Sequence, residues 1–240
     1  MSNLIIDEGN TRCKLAIVDN GRIVDSIAGA SFSDEPINHF VTESGCSRAI
    51  SCSVRREPEN INLPPNMLHI RLSHTTPLPI SIDYKTPSTL GPDRIAAAVG
   101  AWQTELQRNV LIIDAGTAIT IDFLRSDGVF MGGIISAGAA MRTKALNHFT
   151  GCLPLVSVPD STELIGTTTA EAIGFGVVNG VKFEVEGYIR RFRQQFGNVG
   201  VIVTGGEARL LTNIDTDADI RYEPDLVIIG LNTILEQSVI

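Results

Sequence analysis

Residues 4–11 read Leu-Ile-Ile-Asp-Glu-Gly-Asn-Thr, and residues 111–118 read Leu-Ile-Ile-Asp-Ala-Gly-Thr-Ala. The two octapeptides begin 107 residues apart, so one element occurs twice in the chain. In each copy an apolar run suited to a buried strand ends in an aspartate, and a glycine follows two positions later. This repeat indicates two related halves and decides the fold that we predict.

Each copy of the repeat has the features of a turn that binds phosphate. The strand carries an aspartate to its carboxyl end, the glycine lets the backbone approach a phosphate, and a threonine supplies a hydroxyl donor. Mg²⁺ or K⁺ can bind the aspartate. A single Asp-x-Gly at a strand end is most often an ordinary tight turn, but two copies favour phosphate binding. The corresponding residues are Asp7, Gly9 and Thr11, and Asp114, Gly116 and Thr117.

The same order of secondary structure follows both copies of the repeat. A strand, a tight turn and a return strand complete three antiparallel strands, and helices then alternate with strands. Further strands are predicted at residues 48–53, 67–71 and 199–204 and near Ile220. Helices are predicted at residues 35–43, 93–107, 139–149, 168–195 with glycine interruptions, from Glu207, and at 225–237.

This order predicts an α/β protein of two tandem ribonuclease H-like domains with a nucleotide cleft between them. We place the first domain at residues 1–107 and the second at residues 108–240.

Composition restricts the classes of protein that the chain can represent. A net charge of −8 argues against a nucleic-acid-binding surface, which needs clustered Lys and Arg. The first residues lack the basic region of a signal peptide, and no later run holds 18 apolar residues. We therefore expect a cytoplasmic protein without membrane contact, whose four cysteines stay reduced. The four histidines lack metal-ligand spacing, so no transition metal is assigned.

A glycine pair follows the strand predicted at residues 199–204 and precedes a predicted helix. Neither a P-loop nor a Gly-x-Gly-x-x-Gly dinucleotide motif occurs in the chain. Gly205 and Gly206 can form a generic strand-to-helix turn, or they can lie flat against a nucleoside beside a helix N-terminus. In this context we favour the nucleoside.

The sequence Gly91-Pro92-Asp93-Arg94 opens the alanine-rich helix of the first half. Asp93 can simply cap that helix, because aspartate is common at this position. Alternatively, an acid beside a forked cation can orient a hydroxyl nucleophile and bind a carboxylate. Local features favour catalysis over capping.

From end to end, the duplicated turns and the glycine pair resemble the superfamily of acetate and sugar kinases, actin and heat-shock ATPases. A narrower set of blocks between residues 4 and 231 is similar to the type III pantothenate kinases. The blocks are Asp7-x-Gly9-Asn10-Thr11, Tyr84 with Gly91-x-Asp93-Arg94, Asp114-x-Gly116-Thr117-Ala118, Gly132-Gly133-x-Ile135-x-x-Gly138, and Thr169-x-Glu171-Ala172.

The resemblance implies an ATP-dependent kinase that converts pantothenate to 4'-phosphopantothenate in the first step of coenzyme A synthesis. It implies that Asp93 is the catalytic base and that Asp114 holds a monovalent cation (K⁺ or NH₄⁺). From the repeat itself we expect Asp7 to bind Mg²⁺, directly or through water. The implied ATP-binding residues are Asp7, Glu8, Gly9, Asn10, Thr11, Arg12, Cys13, Lys14 and Thr117. The glycine pair, Gly205 and Gly206, adds two more from the sequence itself. The implied pantothenate-binding residues are Tyr84, Gly91, Pro92, Asp93, Arg94 and Thr169.

The family also implies a homodimer whose substrate pocket is completed across the subunit interface. We expect that interface on the predicted helices at residues 139–149 and 168–196. Three residues depart from the family pattern: Glu8, Pro92 and Ala137. Glu8 matters most, since a carboxylate beside phosphates repels them unless it points away or binds a cation.

Three alternatives from the sequence remain. The first is a non-catalytic nucleotide-binding accessory or regulatory protein, against which Asp93 and Arg94 argue. The second is a ribonuclease H-like nuclease, which the acidic composition and the glycine pair disfavour. The third is another small-molecule kinase of the superfamily, specific for a sugar or acetate.

Overall fold

The computed structural model of the chain describes residues 2–31, 35–56, 61, 63–105, 107–214 and 216–238. The chain divides into two compact units. Unit 1 comprises residues 1–107, 124–132 and 225–240, and unit 2 comprises residues 108–123 and 133–224. The domain boundaries predicted from the sequence assign residues 124–132 and the C-terminal segment to the second half instead.

The first sheet lies in unit 1 and is built around the first copy of the repeat. Its strands are β1 (Asn3–Glu8), β2 (Cys13–Asp19), β3 (Arg22–Gly29), β4 (Arg48–Ser53) and β5 (Leu68–Arg71). The order is β3-β2-β1-β4-β5, in which β1, β2 and β3 pair antiparallel and β4 and β5 continue parallel to β1. Asn20 and Gly21 both have positive φ, as the predicted two-residue hairpin turn requires.

Three helices pack within unit 1: α1 (Glu35–Glu43), α2 (Pro92–Thr104) and α5 (Leu226–Gln237). Ile37 and Val41 of α1 join the core formed by Leu4, Ile6 and Leu15. α2 and α5 approach closely, because a Cβ on Gly230 would lie 1.8 Å from the carbonyl oxygen of Ala96. α5 also contacts β1 and β4, which explains why the C-terminal helix belongs to unit 1.

The second sheet contains the second copy of the repeat. Its strands are β6 (Ser81–Ile82), β7 (Asn109–Ala115), β8 (Ala118–Leu124), β9 (Val129–Ala137), β10 (Val199–Thr204) and β11 (Ile220–Tyr222). The order is β11-β10-β7-β8-β9-β6, and β10 pairs parallel with both β7 and β11. β6 pairs with Val129 and Phe130, which belong to unit 1 as β6 does.

Unit 2 contains the helices α3 (Ala139–Phe149) and α4 (Thr169–Phe196). α4 is one continuous helix of 28 residues, so the predicted glycine interruptions are wrong. Its apolar residues recur at about every fourth position and therefore pack against β7 and β10 along one face. The buried residues of that face include Val177, Val181, Val185 and Ile189.

The helix predicted from Glu207 is also wrong. The chain forms only a 3₁₀ turn at Ala208–Leu211. Leu210 and Leu211 are buried in the core of unit 2, and Asn213 adopts a left-handed backbone with φ 61, so the helical path does not continue. Among the described residues, no helix is long and apolar enough to cross a lipid bilayer.

Candidate active site

The first copy of the repeat forms a tight connection between β1 and β2. The Gly9 N–H donates to the carbonyl oxygen of Arg12 over 3.0 Å, which closes the turn. A Cβ on Gly9 would lie only 3.0 Å from that oxygen, so the close approach favours glycine. Asn10, Thr11 and Arg12 are exposed at the tip of the turn.

Asp7 stands at the carboxyl end of β1 and is half-buried. The Cys52 thiol donates to its Oδ1 over 3.3 Å from the paired position of the parallel strand β4. Burial raises the pKa of Asp7 from 3.8 to about 6; the Cys52 hydrogen bond and Lys14 oppose this shift, and the charges of Asp93 and Glu8 add to it. Asp7 and Asp93 are therefore electrostatic neighbours within unit 1.

Asp93 is the second residue of α2, and the residue that caps the helix is Gly91. Pro92 occupies the first helical position, where its missing N–H costs nothing. The Asp93 Oδ1 accepts the N–H of Arg94 over 2.8 Å. The predicted loop-to-helix motif is thus present, and it holds the Asp93 carboxylate at the helix start rather than at the cap.

Arg94 is buried, with 6% of its surface exposed. Its Cζ lies 5.8 Å from the ring centre of Tyr84 and 5.9 Å from that of Phe130, within the range of cation–π attraction. A guanidinium is planar, and its paired N–H donors match the geometry of a carboxylate. Tyr84 and Arg94, which belong to one block of the sequence pattern, are thus in contact.

Two ion pairs surround the first turn. Lys14 pairs with Asp225, which precedes α5, and both side chains are about one-third exposed. Glu8 is buried, and the Arg55 Nε lies 3.7 Å from its Oε1 while also donating to the Gly9 carbonyl oxygen over 3.1 Å. Arg55 therefore compensates the charge of the unusual glutamate.

The second copy of the repeat is enclosed by two glycines from elsewhere in unit 2. A Cβ on Gly138 would lie 2.3 Å from the carbonyl oxygen of Gly116. The Gly205 backbone, with φ +93, packs against Asp114 and Ala115. Asp114 is half-buried, and Thr117 is exposed. The glycine-rich segments thus give the backbone close access to the second aspartate.

Three predicted site residues remain. Cys13, predicted to bind ATP, is buried in the core of unit 1, where its thiol donates to the Gly29 carbonyl oxygen. Thr169 and Gly206 are exposed in unit 2. Thr169 is the first residue of α4, directly after the cap formed by Thr168 with Glu171. Hydrogen bonds from Thr167 and Thr168 lower the pKa of Glu171, so this carboxylate stays ionised. The cap fixes the helix start on which Thr169 lies.

Sequence reasoning missed the residues that hold the first turn in place. Cys52, Arg55 and Asp225 contact Asp7, Glu8 and Lys14 respectively. Strand register and helix docking bring these residues together, and neither can be read from a local pattern. One indication of these contacts is present in the sequence: β4 ends in polar residues, as β1 does.

The described residues contain no group of three or more His, Cys, Asp or Glu side chains arranged for a metal ion. Mg²⁺ in kinases uses one or two carboxylates together with substrate phosphates and water. The half-buried Asp7, beside the exposed turn at residues 9–12, fits that donor set. Asp114 offers an oxygen ligand of the kind that hard cations prefer.

Comparison with known proteins identifies close relatives. The family model described as type III pantothenate kinase matches residues 3–191. A type III pantothenate kinase from Phocaeicola vulgatus is 41% identical over 243 residues, covering 98% of each chain. Another from Porphyromonas gingivalis is 39% identical over 247 residues, covering 99% of each chain.

Solved structures share the fold at low sequence identity. A conserved putative Baf family transcriptional activator from Campylobacter jejuni has a TM-score of 0.64, 22% identity and 98% coverage of both chains. A putative 2-dehydro-3-deoxygalactonokinase from Sinorhizobium meliloti has a TM-score of 0.63, 14% identity and the same coverage. The predicted α/β fold class of two ribonuclease H-like domains, as in actin-like ATPases, is confirmed.

Proposed function

Because the chain belongs to the type III pantothenate kinase family, we propose that it transfers the γ-phosphoryl group of ATP to the primary hydroxyl group of pantothenate. The product is 4'-phosphopantothenate, and the reaction begins coenzyme A biosynthesis. The observation that carries this function is the grouping of Asp7, Asp93 and Arg94 within one unit of a chain so similar to these kinases.

Asp93 acts as the catalytic base in this proposal. Its carboxylate accepts the proton of the pantothenate hydroxyl as that oxygen attacks the γ-phosphorus in line with the departing ADP. The hydrogen bond from the Arg94 N–H fixes one carboxylate oxygen, so the side chain keeps its orientation between turnovers. Positioning and charge neutralisation then supply most of the rate enhancement.

Arg94 binds the carboxylate of pantothenate in this proposal. The guanidinium is buried on the faces of Tyr84 and Phe130, so it is already oriented for a bidentate contact. Tyr84 also lies against the ligand, and the backbone at Gly91 and Pro92 forms the adjacent wall. Thr169, exposed at the start of α4, contributes a hydroxyl donor to pantothenate.

Both copies of the repeat bind ATP in this proposal. The tip of the first turn and Lys14 contact phosphates, while Thr117, Gly205 and Gly206 contact the nucleotide. Mg²⁺ bound at Asp7 and K⁺ or NH₄⁺ bound at Asp114 would offset the negative charge of the triphosphate. Arg55 limits the repulsion that Glu8 would otherwise exert on those phosphates.

We further propose that the protein is a homodimer built on α3 and α4. These helices form a groove of 540 Å³ lined mostly by apolar side chains, among them Phe149, which is 82% exposed. Leu164 and Ile165, just before α4, are 82% and 73% exposed. Apolar exposure of this extent is typical of a contact surface.

A cytoplasmic location accords with the free thiols of Cys13, Cys46, Cys52 and Cys152, because the cytoplasm keeps cysteines reduced. Fractionation of cells that produce the protein tests this location, and recovery in a secreted fraction would exclude it.

An acceptor panel tests the proposed function. Purified protein is incubated with γ-labelled ATP and either pantothenate, acetate, glucose or no acceptor, and labelled products are separated. We expect label on pantothenate alone. Label on acetate or glucose would identify another kinase of the superfamily, and no transfer to any acceptor would favour a non-catalytic nucleotide-binding protein.

A further inference from the structure

We propose that Cys52 is a positioning residue for the reaction, because its thiol fixes the carboxylate of Asp7. The inference rests on the proposed function and extends it to a side chain outside the predicted ATP and pantothenate sites. Cys52 belongs to β4, whereas Asp7 belongs to β1, and the two are register partners in the parallel pair. The S–H group donates to Oδ1 of Asp7 over 3.3 Å.

The environment makes this hydrogen bond specific. Cys52 is 1% exposed, so water does not compete freely for the thiol. Its neighbour Ser51 is instead within hydrogen-bonding distance of His69, at 2.8 Å. Cys13 and Cys46 are also buried, but their thiols donate to backbone carbonyl oxygens. The Cys52 thiol instead donates to a carboxylate, and that carboxylate belongs to the first turn.

The bond restrains the orientation of the Asp7 carboxylate at the base of the first turn. A half-buried carboxylate that lost this donor would be free to rotate and would be poorly solvated. Mg·ATP would then bind more weakly, because ordering the Asp7 side chain would cost free energy on binding. Serine at position 52 presents an O–H donor in nearly the same place and should preserve the function.

Substitutions at position 52 separate positioning from simple packing. We expect Cys52→Ala to lower kcat/KM for Mg·ATP about tenfold and to raise the Mg²⁺ concentration for half-maximal rate. We expect Cys52→Ser to remain within about threefold of wild type, because a hydroxyl replaces the donor. Cys46→Ala, another buried cysteine, whose thiol donates to the Ser44 carbonyl oxygen, serves as the control and should match wild type.

A spectroscopic readout tests the bond without nucleotide or turnover. The infrared S–H stretching band of Cys52, isolated as the difference between wild type and Cys52→Ser, should shift when Asp7→Ala removes the acceptor. An unshifted band, or Cys52→Ser as impaired as Cys52→Ala, would overturn the proposal. If Cys52→Ala does not fold, the shift of the S–H band and the activity of Cys52→Ser still test the proposal. Failure of the proposed function would appear instead as absence of pantothenate phosphorylation by wild type, with the band shift intact.

Discussion

A Cβ atom on Gly205 would lie 2.3 Å from Oδ1 of Asp114, so the loop after β10 packs directly against the aspartate of the second turn. The same Cβ would lie 2.5 Å from the carbonyl oxygen of Ala115, which accepts the N–H of Glu207 over 2.8 Å. Two sequence motifs far apart in the chain thus form one loop cluster within unit 2.

Gly205→Ala should therefore damage the second turn. The clash and the left-handed backbone at φ +93 each cost about 1–3 kcal/mol. We expect a lower melting temperature and a higher K⁺ concentration for half-maximal rate. Gly206→Ala is the stability control, because the space within 4 Å of its Cβ position is open among the described residues, apart from its own chain neighbours.

Rates in K⁺ and Na⁺ buffers test the cation proposed at Asp114. Wild type should be faster in K⁺ than in Na⁺ buffer, and Asp114→Asn should lose that difference. Equal rates of wild type in the two buffers would show that Asp114 has another role. A melting temperature of Gly205→Ala equal to that of wild type would contradict the close packing of Gly205 against Asp114.

Asp7→Asn should stabilise the protein at neutral pH in the absence of Mg²⁺ and nucleotide. The folded-state pKa of about 6 lies above the reference value of 3.8, so the folded protein binds the extra proton between these pH values. The contribution of Asp7 to unfolding free energy therefore falls as pH rises through this window. Since a tenfold change in proton affinity corresponds to about 1.4 kcal/mol, the ionised carboxylate costs up to about 3 kcal/mol.

Denaturant titrations at pH 4 and pH 7.5 measure this effect. We expect Asp7→Asn to be more stable than wild type at pH 7.5 and similar to it at pH 4, where the aspartate is protonated. A variant that is less stable than wild type at pH 7.5 would show that the carboxylate is stabilised by its surroundings.

Arg94→Lys should weaken pantothenate binding selectively. Lysine keeps the positive charge but lacks the planar fork and the stacking on Tyr84 and Phe130. We expect the KM for pantothenate to rise at least about tenfold, with the KM for ATP nearly unchanged. Arg125→Lys, on an exposed hairpin turn of the same unit, is the control. Equal changes in both KM values would argue for general disruption.

Phe149→Glu should dissociate the proposed homodimer. A charge at this exposed position of the α3–α4 groove opposes burial in an interface. Sedimentation velocity should give a dimer for wild type and a monomer for the variant. Val24→Glu, which also replaces an exposed apolar residue, should remain dimeric. A monomeric wild type at micromolar concentration would refute the interface.

The sequence predicted most elements because local periodicity specifies them. α1, β4, α3 and β10 have the predicted bounds, since each combines a clear apolar pattern with a turn or cap at its ends. The predicted helix from Glu207 failed because buried leucines hold the chain against the core. The helix α5 follows unit 2 in sequence yet packs with α2, and only long-range packing determines that choice.

The candidate site was predictable where a motif is contiguous and unpredictable where strands meet. The sequence of residues 91–94 indicated an acid and an arginine at a helix start, and both are there. The contact of Cys52 with Asp7 depends on the register of β1 and β4, which are separated by a hairpin and a helix. The aromatic support of Arg94 by Phe130 likewise depends on β9.

The most direct test concerns Asp93 and the identity of the product. Wild type and Asp93→Asn are incubated with ATP and pantothenate, phosphopantothenate and ADP are quantified by mass spectrometry, and ATP affinity is measured separately. An asparagine oxygen can still accept the Arg94 N–H, so folding and ATP binding should persist while turnover falls about 10²–10⁴-fold. Equimolar phosphopantothenate and ADP from wild type, with almost none from the variant, is the predicted result. Wild-type turnover by Asp93→Asn, or no phosphopantothenate from wild type, would contradict it.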